Sequence, residues 1–238
     1  GFWWAPVGNH GKYGLDSGVN GTSQRMWAPE GKAAGIVTPV FVPVHRCREI
    51  EVNLMAKAQG GARLFAGLMP PRLSAKPFVS ASLKTGPEWR RLSARLKVPA
   101  GRAKRGEPLF LSLVAEEGGT AWVDQVLAFP ADHLDGWDPD VVRYVRDARV
   151  SLIRFPGGNF VSGYRWKDGV GPLDSRPAKP NPAWEGVEWN HVGTDEWMKF
   201  CELIEAEPMI CVNAGDGTPE EAAARDLGEI SGGTLIAV

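Results

Sequence analysis

Residues 151–172 read SLIRFPGGNFVSGYRWKDGVGP, a short apolar run that breaks into Pro-Gly-Gly-Asn and then into aromatic and charged residues. A turn needs one glycine or two. It does not need an arginine inside the preceding strand, an asparagine straight after the glycines, and Tyr164, Trp166 and Asp168 close behind. On either side of this stretch helix and strand alternate. Upstream, DPDVVRYVRDAR puts Val141, Val142, Val145 and Ala148 on one helical stripe, with Pro139 suited to a first turn. Downstream, GTDEWMKFCELIEAEP offers Thr194 as an N-cap, Asp195 and Glu196 in the first turn, and Trp197, Cys201 and Ile204 on one face. The strand PMICVNAG follows. GTPEEAAAR then opens a third helix, with Thr218 at the cap, Pro219 at the first position and Glu221 completing a capping box. Helices alternating with near-continuous apolar strands predict a parallel α/β architecture, and both a barrel and a doubly wound sheet fit the rhythm.

In such architectures ligands meet the carboxyl ends of the strands. SLIRF ends at Phe155, so Pro156 to Asn159 fall on that edge. A glycine pair lets backbone approach a ligand and reach positive φ. Asn159 supplies a donor and an acceptor suited to sugar hydroxyls, and Arg154 a guanidinium to brace a carboxylate or hydroxyl. MICVNAGDG also ends in polar residues and glycine, with Asn213 and Asp216 as supporting residues. An ordinary turn, with Arg154 in a structural ion pair, is the competing reading. The pattern is neither GxGxxG nor GxxxxGK[ST], which argues against a nucleotide site.

Between about Gly35 and Pro130 the period is two instead. REIEVNLMAKAQ alternates Ile50, Val52, Leu54 and Ala56 against polar neighbours, and ARLFAGLMP, PFVSASLKTG, WRRLSARLKV, EPLFLSLVAEEG and TAWVDQVLAFP continue in that manner. Six or seven short strands with no helix between them predict an antiparallel sandwich or jelly roll. The glycine-rich first 24 residues read mostly as loop, with one short strand.

Lys plus Arg number 27 and Asp plus Glu 28, so the net charge of -1 carries no nucleic-acid or membrane footprint. Cys47, Cys201 and Cys211 form no short-spaced metal motif, and an odd number argues against a disulfide framework. No apolar run has membrane-helix length and no signal peptide is visible. The chain starts at Gly1 rather than Met, so cytoplasmic and secreted locations are both open. Ten tryptophans are the informative part of the composition, because indole stacks on sugar rings. Trp3, Trp4, Trp27 and Trp89 are candidates for such stacking; strand rhythm assigns Trp89 and Trp122 more readily to the core.

The runs IRFPGGNFVSGYRWKDGVGPLDSRP and AWEGVEWNHVGTDEWMKFCELIEAEPMICVNAGDGTPEEAA together resemble glycoside hydrolase family 51, the retaining α-L-arabinofuranosidases, from roughly Asp138 to Ala224. The upstream half resembles the carbohydrate-binding-like, galactose-binding-like β-sandwich inserted in a subset of these enzymes. The expected organisation is therefore residues 1–133 as sandwich and 134–238 as part of a (β/α)8 TIM barrel. The resemblance implies that Arg154 and Asn159 line the arabinofuranose pocket and that Trp184 contributes to the neighbouring subsite. Tyr164 and Trp166 belong to the same loop as weaker candidates. It implies an arabinose-containing polysaccharide or oligosaccharide as partner, no organic cofactor or metal, and a homo-oligomeric parent. In the family the acid/base glutamate follows a Gly-Asn pair; here Gly8-Asn9 and Gly158-Asn159 precede no glutamate. The expectation is a fragment without either catalytic carboxylate, inactive alone, whose resemblance stops near Ala224. A carbohydrate-binding module without catalysis and a barrel glycosidase of other specificity are the alternatives.

Overall fold

The computed structural model describes residues 4–7, 10–181 and 183–228, the last four of these as backbone only. The chain divides into two compact units that meet in sequence between Asp132 and His133.

Among the described residues the first unit contains ten strands: β1 (Ala5–Val7), β2 (Lys12–Ser17), β3 (Thr22–Ala28), β4 (Ala33–Phe41), β5 (Glu49–Gln59), β6 (Arg63–Met69), β7 (Val79–Leu83), β8 (Arg90–Lys97), β9 (Pro108–Glu116) and β10 (Gly119–Pro130). They form two five-stranded sheets, ordered β1-β4-β9-β6-β7 and β2-β3-β10-β5-β8, with antiparallel pairing throughout. Alternation decides which face is buried. Ile50, Val52, Leu54 and Ala56 of β5 turn inward, as do Leu109, Leu111, Leu113 and Ala115 of β9, and with Met26, Leu64, Leu68, Leu96 and Val123 they make one continuous core. This is a β-sandwich.

The glycine-rich amino-terminal stretch is more regular than the sequence suggested. Lys12–Ser17 and Thr22–Ala28 form a hairpin, closed by the Gly18 N–H donating to the Gly21 carbonyl at 2.8 Å, while Asp124 Oδ2 accepts from Val19 N at 2.9 Å. Its edge strand β2 needs little side-chain burial, so it lacks the apolar alternation that marks β5 and β9. Trp4 packs against the sandwich core, and Trp3 lies outside the described residues.

The second unit contains α1 (Pro139–Asp147), β11 (Leu152–Phe155), β12 (Lys179–Pro180), β13 (Val187–Glu188), α2 (Thr194–Ile204), β14 (Glu207–Ile210) and α3 (Pro219–Gly228). Strands β11 and β14 pair in parallel, Leu152 with Glu207 through Phe155 with Ile210, and α2 lies between them in sequence: a βαβ unit. Asp138 caps α1 through its carboxylate, which accepts from Asp140 N and Val141 N. On α1 the buried stripe is Val142 with Val145; Val141, expected to share it, turns outward. Val142, Phe200 and Ile204 form a small core. Above it runs a chain of ring contacts: Trp137 on Phe200 at 4.2 Å, Phe200 to Trp197 at 5.7 Å, Trp197 on Phe155 at 5.1 Å, Phe155 to Tyr164 at 5.7 Å, and Tyr164 to Phe160 at 5.1 Å.

Helix α2 begins one residue earlier than its sequence implied. Gly193 is the N-cap, and the Glu196 carboxylate reaches back to accept from Gly193 N at 2.8 Å. A Cβ on Gly193 would stand 2.0 Å from the Gly169 carbonyl oxygen, so only glycine lets the two backbones meet there. Helix α2 ends at Glu205, which adopts the left-handed conformation at φ 60°, ψ 41° that favours glycine. Its ion pair with Arg146 is exposed and adds little. Glu205→Gly is expected to raise the stability of this unit by about 0.5–1 kcal/mol, relief of the left-handed strain exceeding the extra chain entropy of glycine. Thermal unfolding followed by hydrogen exchange in α2 measures it.

Candidate functional site

The carboxyl end of β11 turns at once into the glycine pair. Gly158 adopts φ +62°, a left-handed conformation, and a 3-10 turn, Gly158–Gly163, follows. A Cβ on Gly157 would lie 3.5 Å from Arg154 Nη2, and one on Gly158 would lie 3.7 Å from Trp184 Cζ2. The structure thus brings Arg154, the glycine pair and Trp184 together. Arg154 and Asn159 are exposed, and Trp184 is 69% exposed. Neither the Arg154 guanidinium nor the Asn159 amide has a protein partner among the described residues. The competing expectation, a structural ion pair for Arg154, is therefore absent from them.

Trp184 is held out by its own loop. It lies on the turn of the β12–β13 hairpin, where Lys179 pairs with Glu188. The Asn181 carboxamide oxygen accepts from Ala183 N at 3.1 Å and Trp184 N at 3.0 Å, and Asn181 N donates to the Gly186 carbonyl at 3.0 Å. This asparagine-centred turn fixes the backbone while the indole stays in solvent.

Tyr164 and Trp166 occupy different surroundings. Both are buried, at 6% and 8% exposure. The Trp166 indole N–H donates to the Glu221 carbonyl at 3.1 Å, and neighbouring Arg165 ion-pairs with Glu221 at 2.8 Å and with Asp216 at 3.2 Å. Thr218 Oγ1 accepts from Glu221 N at 3.1 Å, so the backbone half of the α3 capping box forms while the Glu221 carboxylate goes to Arg165. Asn213 is consumed locally: it donates to Asp216 Oδ1 at 2.7 Å and accepts from Gly215 N and Asp216 N. Asp168 ion-pairs with Lys179, tying the loop after β11 to the hairpin that carries Trp184.

Sequence reasoning missed the clamp beneath the loops. Arg176, 3% exposed, donates to both Glu196 carboxylate oxygens at 2.8 Å, to the Gly171 carbonyl, and to the Asn190 carbonyl at 3.0 Å. Burial alone would raise the Glu196 carboxyl. The Arg176 hydrogen bonds and the Gly193 N–H outweigh it and hold the group below the usual carboxylate range. His191 stacks against Trp189 at 6.2 Å, and its buried Nε2 has no hydrogen-bond partner among the described residues. Burial, then the Arg176 charge, pushes this imidazole down toward its neutral form. No local motif announces Arg176, because Glu196 is twenty positions away. Among the described residues no group of three or more His, Cys, Asp or Glu is placed to hold a metal ion, and no helix is long and apolar enough to cross a membrane.

A guanidinium and a carboxamide without protein partners among the described residues thus stand at the carboxyl end of a parallel strand, with an exposed indole against the neighbouring glycine. Residues 144–233 match the model of the alpha-L-arabinofuranosidase 1 domain. Alpha-L-arabinofuranosidase C of Emericella nidulans is 48% identical over 95 residues, which is 40% of this chain and 19% of that protein. The intracellular exo-alpha-(1->5)-L-arabinofuranosidase of Acetivibrio thermocellus is 48% identical over 81 residues, 34% of this chain and 16% of that protein. A solved GH51 alpha-L-arabinofuranosidase from Thermotoga petrophila is 46% identical, covering 40% of this chain and 20% of that one, at a TM-score of 0.38. The chain thus spans about a fifth of the length of these relatives. The resemblance to family 51 stands for the second unit, and it runs on to residue 233, beyond the Ala224 at which the sequence reading ended it.

Proposed function

We propose that the second unit is a piece of the (β/α)8 catalytic barrel of a retaining α-L-arabinofuranosidase, and that Arg154, Asn159 and Trp184 bind a terminal α-L-arabinofuranosyl unit of an arabinose-containing polysaccharide or oligosaccharide. The observation that carries this reading is Arg154: a strand-end guanidinium, exposed and without a partner among the described residues, against Gly157, with Trp184 standing against the neighbouring Gly158. Arg154 and Asn159 hydrogen-bond ring hydroxyls, and the Trp184 face stacks on the sugar bound next to them. Tyr164 and Trp166 support the loop from inside and do not touch the sugar.

Retaining hydrolysis needs two carboxyl groups about 5–5.5 Å apart, one acid/base and one nucleophile. Among the carboxylates of these loops Asp168 holds Lys179, and Asp216 and Glu221 hold Arg165. Neither Gly8-Asn9 nor Gly158-Asn159 precedes a glutamate that would match the family's acid/base, and on this reading the chain alone contributes binding without bond cleavage. The purified chain is expected to release no nitrophenol from 4-nitrophenyl α-L-arabinofuranoside, while arabinotriose saturably changes its tryptophan fluorescence. Losing the charge-assisted hydrogen bonds of Arg154 in Arg154→Ala weakens that titration about 10- to 100-fold. Saturable nitrophenol release would refute the lack of catalysis, and an unchanged titration in Arg154→Ala would refute the pocket.

A further inference from the structure

The outer face of the sheet β2-β3-β10-β5-β8 holds aromatic rings where the sequence suggested core. Trp89 and Trp122 are half-buried and absent from the sandwich core, and Trp27 is 36% exposed. The register explains this. Ala121 and Val123 of β10 face inward, so Trp122 between them faces out, in line with Arg25 of β3 and Lys57 of β5. Gly14 of β2 ends this row opposite Arg25, and its missing side chain leaves space for the Arg25 guanidinium, 3.3 Å from where a Cβ would be. At the other end Ala56 pairs with Arg90, so Trp89, one residue earlier, comes level with Lys57. One row thus crosses four strands as Gly14, Arg25, Trp122 and Lys57 and ends at Trp89, the residue just before β8. In the adjacent row Lys12 stands over Trp27 at 5.1 Å.

Lys57 Nζ lies 5.0 Å from the centroids of both Trp89 and Trp122. Neighbouring strands are about 4.8 Å apart, so rings two strands apart are separated by about 10 Å, close to the length of one disaccharide. Two indoles at that separation meet alternate sugars of a linear chain laid across the strands, leaving the sugar between them over an ammonium. That ammonium has no acceptor among the described residues. The two rows carry three cations, Lys12, Arg25 and Lys57, and no carboxylate. One row further on lie two carboxylates. Asp16 ion-pairs with Arg25 at 3.8 Å and accepts from the Trp122 indole N–H at 2.9 Å and from Ser17 N at 2.8 Å. Asp124 accepts from Val19 N at 2.9 Å, which leaves Lys12 and Lys57 as the cations of the two rows without a carboxylate partner among the described residues.

We propose that this face binds a linear polysaccharide bearing uronate carboxylates, with Trp122 and Trp89 stacking on alternate sugars and Lys57 pairing with a carboxylate between them. Charge complementarity selects an acidic glycan over a neutral one. The proposal rests on the first unit alone and is independent of the arabinofuranose pocket.

The test is affinity electrophoresis of the full chain in gels containing 4-O-methylglucuronoxylan, or the same polymer after reduction of its carboxyls. Retardation at least fivefold stronger by the acidic polymer is expected, weakening with added salt. Trp122→Ala should abolish it, and Trp89→Ala, outside the regular strand and so less exposed to a folding defect, should do the same. Lys57→Gln should keep binding but remove the difference between the two polymers. Equal retardation in both gels, none in either, or tighter binding of an oligothymidylate in competition would each overturn the proposal.

Discussion

Arg176→Met is expected to destabilise the second unit by about 3–5 kcal/mol, because removing one partner of a buried ion pair leaves the other uncompensated. Arg176 gathers Glu196 and the carbonyls of Gly171 and Asn190 around one guanidinium. The substitution thus strands a carboxylate and two carbonyls together. Replacing both charged partners by apolar residues, Arg176→Met with Glu196→Leu, should recover only part of the loss, since the carbonyls stay unsatisfied and Gly193 N loses its acceptor. The pair also gives a pH signature. The Glu196 carboxyl is held below its ordinary value, so the stability it contributes is fully present above the unfolded carboxylate value of about 4.3. It is lost as pH falls through the lower folded value. Glu196→Gln should remove that acid-side loss. Hydrogen exchange at residues 190–204 reports this unit separately, which a single melting curve of two units does not. Loss below about 1 kcal/mol in Arg176→Met would mean that the clamp is not what orders these loops.

In the sandwich the corresponding large effect belongs to Leu113. It is fully buried on β9, the central strand of its sheet, between Ile36 of β4 and Ala66 of β6 in register. Leu113→Ala is expected to cost about 3–5 kcal/mol, the transfer loss plus a cavity that two packed sheets cannot collapse to fill. Val114, its neighbour on the opposite face, should tolerate threonine within about 0.5 kcal/mol. Urea unfolding followed by exchange at β9 and β10 distinguishes the two. Similar costs for both would mean that the inward phase of β9 is misassigned.

The sandwich was legible where alternation was unbroken: β5 and β9 declare their inward faces residue by residue. It was illegible in β2, an edge strand whose outward residues need no apolar partner. Trp122 shows that a place in the strand rhythm is not enough without its phase. The rhythm suggested core, yet Ala121 and Val123 take the inward positions of β10 and turn Trp122 outward. In the second unit, Arg154, Asn159 and Trp184 were marked by the strand-glycine-asparagine sequence and by the family resemblance. Tyr164 and Trp166 carried the same marks, but loop sequence does not say which aromatic turns inward. The Arg176–Glu196 clamp and the Lys57 position between two indoles arise from long-range pairing, for which no local signal exists.

The ring contacts from Trp137 through Phe200, Trp197, Phe155 and Tyr164 to Phe160 join the start of α1 to the loop after β11. Their electronic transitions lie close together in energy and space, with Trp137 and Trp197 edge to face at 6.4 Å. Rings in such an arrangement exchange excitation and produce coupled bands in near-ultraviolet circular dichroism. The protein therefore carries an optical antenna ending beside the candidate pocket, and a rearrangement of that loop alters the spectrum of indoles that no ligand touches.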